Sequence, residues 1–245
     1  LYELASLHRT GAVLLDAAFA FHAVAGESYQ SVRQFLSDPK RNAVYALPSG
    51  WNLFKFDAIT GVQEGILSFQ SLLPSGGSLD AMAIDSHRDR LYLGLGAWAS
   101  GGSAYSKTVE IYDLVREQRA GTIDLMSFVP GDWNSRILSM GVDVERQRLY
   151  VEVSDGLGES RINSLLIVDT SQDTVVGNYS LERRMSGEMI FDFDRQKAYK
   201  MDGGIIDLET LTVNQSYTGE YINLGVLDFA INQVTNTIYT LRKGA

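Results

Sequence analysis

Five copies of a strand–turn–strand motif, each ending in tyrosine, predict an all-β chain of repeated four-stranded blades, a β-propeller. Three observations carry that expectation. The first is the motif itself, at Phe35–Tyr45, Met82–Tyr92, Met140–Tyr150, Met189–Tyr199 and Phe229–Tyr239. The second is a companion hairpin between copies, in which a glycine follows an aspartate by eight residues. The third is composition: 23 Gly against 4 Pro, with 45% hydrophobic residues in a chain of 245, suits many turns around a sizeable core.

In every copy a short apolar run leads into Asp38, Asp85, Asp143, Asp192 or Asn232, seven residues before the tyrosine. A polar turn follows, and an Asx side chain there can bond the turn backbone. Arg41, Arg88, Arg146 and Arg195 recur four before the tyrosine. That regularity reads as a turn role, pairing with neighbouring acids. The companion hairpin runs Leu53–Asp57 with Gly65, Val109–Asp113 with Gly121 and Leu165–Asp169 with Gly177, with a weaker copy at Ile205–Asp207. It reads as an apolar strand, a turn and an outer strand, where Val175 and Val176 supply β-branched character. No companion follows Tyr239, but Glu3 and Gly11 near the start have the same spacing.

The expected architecture is one domain over 1–245 of five four-stranded blades, closed by strands from both chain ends. The blades run about 35–73, 79–128, 137–182, 187–222 and 226–245, the last completed by 1–14, with 15–34 as a connector. Closure of this kind protects open sheet edges. Part of a six- or seven-bladed propeller is the alternative.

Charge and missing residue types exclude several functions. Lys+Arg 21 against Asp+Glu 30 gives −9, which argues against wholesale binding of nucleic acid or anionic lipid. No stretch of 18 uninterrupted apolar residues occurs, so no transmembrane helix is expected. Cys 0 removes disulfides, thiolate nucleophiles and cysteine-ligated metal, and His 3 leaves little for a histidine-rich centre. The acidic balance without cysteine points to an extracytoplasmic protein, periplasmic or secreted, with a cytoplasmic one as the alternative.

The paired motif resembles the YVTN-type β-propeller repeat. That repeat also occurs in the propeller subunits of quinohemoprotein amine dehydrogenases and the heavy chain of methylamine dehydrogenase. The resemblance covers about residues 35 to 245, plus 1 to 11. It implies a fold, with binding and scaffolding as its commonest uses, because the motif residues are structural. The Pro-Asp-Gly turn common in that family is absent apart from Asp38-Pro39, and five copies are fewer than the seven blades usual there.

In a propeller, loops joining second to third strands share a face with those between blades, and that face usually binds. All three tryptophans, Trp51, Trp98 and Trp133, fall in such loops, joined by Tyr105. Exposed aromatics there suit a protein interface or a sugar-stacking surface; the alternative is that each folds back over a blade edge. Arg33, Gln34, Asp80, Glu188 and Asp228 lie four or five before the motif Asx, at the expected channel mouth. Asp80, Glu188 and Asp228 are candidate acid and base groups for a sugar, or oxygen ligands for a hard cation. Solvated or arginine-paired channel residues are the alternative.

Other motifs carry less. Asp155–Ser160 looks superficially like a calcium loop but lacks the alternating oxygen ligands, so a hairpin tip is expected. Gly94-Leu-Gly96 and Gly101-Gly102 are not expected to make a phosphate cradle, because no helix follows them. His87 sits in a polar turn, and no Gly-x-Ser-x-Gly elbow is present. The expected function is a non-catalytic propeller that binds a protein partner or builds part of a larger complex. The alternatives are a propeller subunit of a periplasmic redox enzyme, which the resemblance implies, and a glycan-binding or glycoside-active propeller. No cofactor is expected, with Ca²⁺ as the alternative.

Overall fold

The computed structural model describes residues 32–48, 51–72, 77–97, 107–128, 136–154, 163–181, 189–200, 204–216, 226–232 and 237–242. The chain divides into two compact units, Leu1–Asp124 and Leu125–Ala245. In the first unit, β1 (Val32–Asp38), β2 (Ala43–Pro48), β3 (Asn52–Asp57) and β4 (Gln63–Ser68) form an antiparallel sheet in that order. A second sheet follows from β5 (Gly77–Asp85), β6 (Arg90–Ala97), β7 (Thr108–Asp113) and β8 (Gln118–Asp124).

The second unit repeats the plan. Its first sheet is β9 (Arg136–Asp143), β10 (Arg148–Ser154), β11 (Asn163–Asp169) and β12 (Thr174–Leu181). Its second is β13 (Met189–Asp192), β14 (Lys197–Lys200), β15 (Gly204–Asp207) and β16 (Thr212–Ser216). The hairpin β17 (Val226–Asn232) and β18 (Thr237–Arg242) completes the described strands. The described residues therefore hold four complete blades and one two-stranded hairpin, where five blades were expected. Residues 1–14, expected to complete the hairpin's blade, lie outside the described residues, as do 15–31 of the expected connector. Val32–Gln34, the end of that connector, belongs to β1.

Burial follows strand position. The inner strands β10 and β11 are buried along nearly their whole length, which their apolar runs Leu149–Val151 and Leu165–Val168 suit. The outer strands β4 and β12 largely alternate half-buried with exposed positions, because only one face meets protein. The motif tyrosines Tyr45, Tyr92, Tyr150 and Tyr199 are all buried. In the first unit Tyr45, Leu47 and Leu53 share a core with Leu79, Met82, Leu91, Leu93 and Leu95. In the second, Tyr150, Leu165 and Ile167 pack with Met189, Ala198 and Ile206.

Two irregularities recur at fixed places. The pairing of β1, β5, β9 and β17 shifts register at Arg33, Asp80, Leu138 and Leu227, always five residues before the Asx. The outer strands β4, β8, β12 and β16 each bulge at Glu64, Ala120, Val176 and Asn214, seven after the companion aspartate. A bulge adds one unpaired residue and sharpens the local twist. The glycine eight after the aspartate thus directly follows a bulge. At Gly177 an added Cβ would lie 2.8 Å from the Tyr179 ring, whereas Gly65 has open space, and the fourth copy carries Gln215. The bulge, not the glycine, is the constant feature.

Candidate functional site

Each blade has two unlike ends. At one end lie the short turns; at the other, the longer connections between strands. The turn end is chemically closed. Asp38, Asp85, Asp143 and Asp192 are buried, and each accepts the backbone N–H of the arginine three residues on. The same arginines, Arg41, Arg88, Arg146 and Arg195, return a guanidinium to the second carboxylate oxygen at 2.8, 3.2, 3.3 and 2.8 Å. The residue before each second strand, Asn42, Asp89, Gln147 and Gln196, turns left-handed at φ 50, 58, 55 and 52°. The short polar side chains of Asn42 and Asp89 tolerate that conformation.

The companion turns use the same device. Asp57, Asp113, Asp169 and Asp207 accept turn N–H groups two or three residues ahead. Gly61, Glu117, Asp173 and Leu211 take the left-handed position. For Leu211 that conformation is unfavourable, and its packing against the second-unit core offsets the cost. A backbone bond then ties the two turns of each blade. Ala58, Leu114, Thr170 and Leu208 donate N–H to the carbonyls of Asn42, Asp89, Gln147 and Gln196 at 2.8 to 3.0 Å.

Neighbouring blades within a unit are joined at this end too. Lys40 Nζ lies 2.6 Å from Asp89 Oδ1, and Arg41 bonds the same carboxylate. In the second unit Gln196 Nε2 donates to Asp143 Oδ2 at 2.9 Å. Burial alone would lower the Arg41 guanidinium, but its bonds to Asp38 and Asp89 carry it above its ordinary value. The Tyr45 phenol is pushed up to about 12, first by burial and then by the nearby Asp38 carboxylate.

The companion carboxylates are held below their ordinary range. For Asp57, Asp113 and Asp207 the main cause is a backbone N–H, from Thr60, Arg116 and Thr210 respectively; for Asp169 it is the Ser171 hydroxyl, then Arg148. A carboxyl depressed in the folded state takes up its proton at lower pH than in the unfolded chain. The unfolded state therefore binds more protons between the two values, and stability rises with pH there. The contribution is present above about pH 4 and is lost as pH falls below it. Asp169→Asn is expected to make the acid limb of stability against pH shallower in urea titrations. An acid limb identical to the parent's would contradict this account.

The opposite ends of the blades carry the residues expected to bind. Trp51 lies beside the β2–β3 connection with 42% of its surface exposed. Its carbonyl accepts the Phe69 N–H at 2.9 Å, which anchors the loop to the segment after β4. Trp98, Tyr105, Trp133 and Glu188 lie outside the described residues. Gln34 sits one residue past the β1 bulge and hooks onto the next blade. Its amide donates to the Met82 carbonyl and accepts the Met82 N–H, both at 2.8 Å. Asp80 is the bulge residue of β5, and its carboxyl lies over Gly96; an added Cβ there would be 2.6 Å from Asp80 Cγ. Arg33 is the bulge residue of β1, and Asp228 pairs with Leu241 on the β17–β18 hairpin. Gln34 and Asp228 share the position four before the Asx, whereas Arg33 and Asp80 share the one before it. The bulge separates these two sets. A count along the sequence gives five against four but does not show which of the two is unpaired.

One cluster has no counterpart in the sequence reading. Glu152 of β10 is fully buried and accepts from Ser139 Oγ at 2.7 Å and Asn163 Nδ2 at 3.0 Å. The Lys200 ammonium of β14, in the next blade, pairs with the same carboxylate, and both side chains are 0% exposed. The available signal was a lone charge inside the apolar run Leu149-Tyr150-Val151-Glu152-Val153. Among the described residues no group of three or more His, Cys, Asp or Glu is arranged to hold a metal ion.

No family model matches the chain, and no curated protein matches it. Solved structures do. The WD40 repeats of RRP9 match with a TM-score of 0.51 at 13% identity, over 76% of this chain and 51% of that one. U3-55K matches with 0.51 at 14% identity, over 76% and 51%. The WD40 domain of Toxoplasma gondii coronin matches with 0.54 at 14% identity, over 83% and 49%. The chain is a β-propeller. It spans about half the length of the propeller structures it matches. At these identities the likeness is one of fold, and it agrees with the antiparallel blades seen in both units of this propeller.

Proposed function

We propose that this propeller is a non-catalytic module that binds a protein partner through the loop ends of its blades. Trp51 carries the reading. Its indole is exposed on a loop held by a backbone bond, whereas Tyr45, Tyr92, Tyr150 and Tyr199 are buried. A tethered aromatic of this kind gives large contact area at little entropic cost on binding. The turn ends support the same reading from the other side. Their carboxylates and guanidiniums already satisfy one another, so the turn ends serve the fold. On the sequence pattern Trp98 and Tyr105 also fall in a loop between strands, and Trp133 in a loop between blades. Within the propellers we read the repeat as YVTN-type, on its Asx-to-tyrosine and aspartate-to-glycine spacings.

Native mass spectrometry of the protein from its source is expected to show a stoichiometric partner chain. A central interface tryptophan contributes roughly 2 kcal/mol or more, so Trp51→Ala should weaken that association about 30-fold. Its melting temperature should stay within a degree or two of the parent's, since the side chain is exposed. A chain that is always alone, or a partner held equally by Trp51→Ala, rejects this assignment.

A further inference from the structure

The Glu152–Lys200 pair is fully buried between two blades of the second unit. Replacing a buried ion pair by hydrophobic residues is often neutral or stabilising, whereas removing one partner is costly. Stability is therefore a poor explanation for this one. The repeat supplies a better explanation. Glu152 stands two residues after its motif tyrosine, where the other copies have Leu47, Gly94, Met201 and Leu241. Lys200 stands one after its tyrosine, where the others have Ala46, Leu93, Val151 and Thr240. Leu47, Gly94, Ala46 and Leu93 are buried. Only one copy offers an acid at the first position, and only the next offers a base at the second.

We propose that the buried Glu152–Lys200 pair is an address that makes the β9–β12 blade accept the β13–β16 blade and no other. Five similar repeats invite mispairing, a characteristic failure of repeat chains. Stacked on the blade with Leu47 at the acid position, Lys200 would be buried with no carboxylate at that position to meet it. Glu152 facing Ala46 or Leu93 would likewise lose its cation. A wrong stack is thus penalised by an unpaired buried charge, which is specificity by repulsion as well as attraction. Ser139 and Asn163 hold the carboxylate on its own blade and present it for the incoming lysine.

The test uses the whole chain and compares Glu152→Met, Lys200→Met, the double replacement, and the exchange Glu152→Lys with Lys200→Glu. Glu152→Met strands the ammonium and should lower the melting temperature by roughly 10 °C. Lys200→Met should cost less, because Ser139 and Asn163 still serve the carboxylate. The double replacement should melt within a few degrees of the parent. After refolding from urea it should nevertheless give a several-fold larger fraction of dimers and misassembled species by size exclusion. A double variant that refolds to one monomer with the parent's hydrogen-exchange map overturns the proposal. If the double variant does not fold, the charge exchange decides. It should recover monomer yield and melting temperature relative to Glu152→Lys or Lys200→Glu alone, and an exchange no better than either single reversal also overturns it.

Discussion

A methyl group added at Gly141 is expected to cost about 3 kcal/mol, the upper part of the range for overpacking a tight core. Gly141 stands opposite Tyr150, at the position that Leu36, Ala83, Ile190 and Ala230 fill in the other pairs of inner strands. Its missing side chain admits an aromatic trio. Phe191 and Phe193 stack with centroids 5.6 Å apart, and Tyr150 lies 5.9 and 5.8 Å from them. A Cβ on Gly141 would come 2.7 Å from Phe191 Cγ and 2.9 Å from Phe193 Cζ. Phe191 Cγ lies near the root of its side chain, so little rotation relieves the clash. For a chain of this size the loss corresponds to a melting temperature lower by roughly 6–12 °C. Gly65→Ala, with open space around it, is the matched control and should stay within about 0.5 kcal/mol of the parent. Pairing Gly141→Ala with Phe191→Leu should cost less than the two changes summed, because the second opens room for the first. Additive costs in that cycle would mean that Phe191 does not fill the space above Gly141.

Asp143→Ala is expected to remove a further large share of stability, about 3 kcal/mol. Its buried carboxylate accepts the Arg146 N–H at 3.0 Å, the Arg146 guanidinium at 3.3 Å and Gln196 Nε2 at 2.9 Å. Alanine leaves the turn N–H and the Gln196 amide without that acceptor, and a buried donor stripped of its partner costs more than the bond contributed. Arg146 itself is half exposed and recovers water, so it adds little to the loss. Glu145→Ala, in the same turn and exposed, is the control. Urea unfolding of Asp143→Ala, Gln196→Ala and the double variant measures the blade-to-blade part as their coupling. A loss below about 1 kcal/mol for Asp143→Ala would remove this carboxylate as a fastener of the turn.

The blades were legible because their signals are local. An aspartate seven residues before a tyrosine, with arginine between them, closes the same turn in each of the four described copies, since the carboxylate bonds its own turn backbone and its own arginine. The bulges were not legible as such. A count back from the Asx places Arg33 and Asp80 at five and Gln34 and Ala81 at four, but it does not say which position is unpaired. The unpaired residue is defined only against the partner strand. Gln34 shows the consequence. A residue expected at a channel mouth makes both its amide bonds to the Met82 backbone, 48 positions away. Gly141 is similar: in the sequence it is one more small residue in an apolar run, and its neighbours Phe191 and Phe193 come from the next blade.

The amino-acid sequence by itself determined the all-β class, the four-residue turns, the buried tyrosines and the arginines that pair with the turn aspartates. Each depends on groups within a few residues of one another, so period and spacing encode it. Tertiary structure alone decided which side chains join one blade to the next. The Gln34 hook, the Gln196–Asp143 bond, the Phe191 slot over Gly141 and the Glu152–Lys200 pair all cross between sheets. Their distances depend on how two sheets stack, and strand periodicity fixes the face of a residue but not the neighbour it meets there.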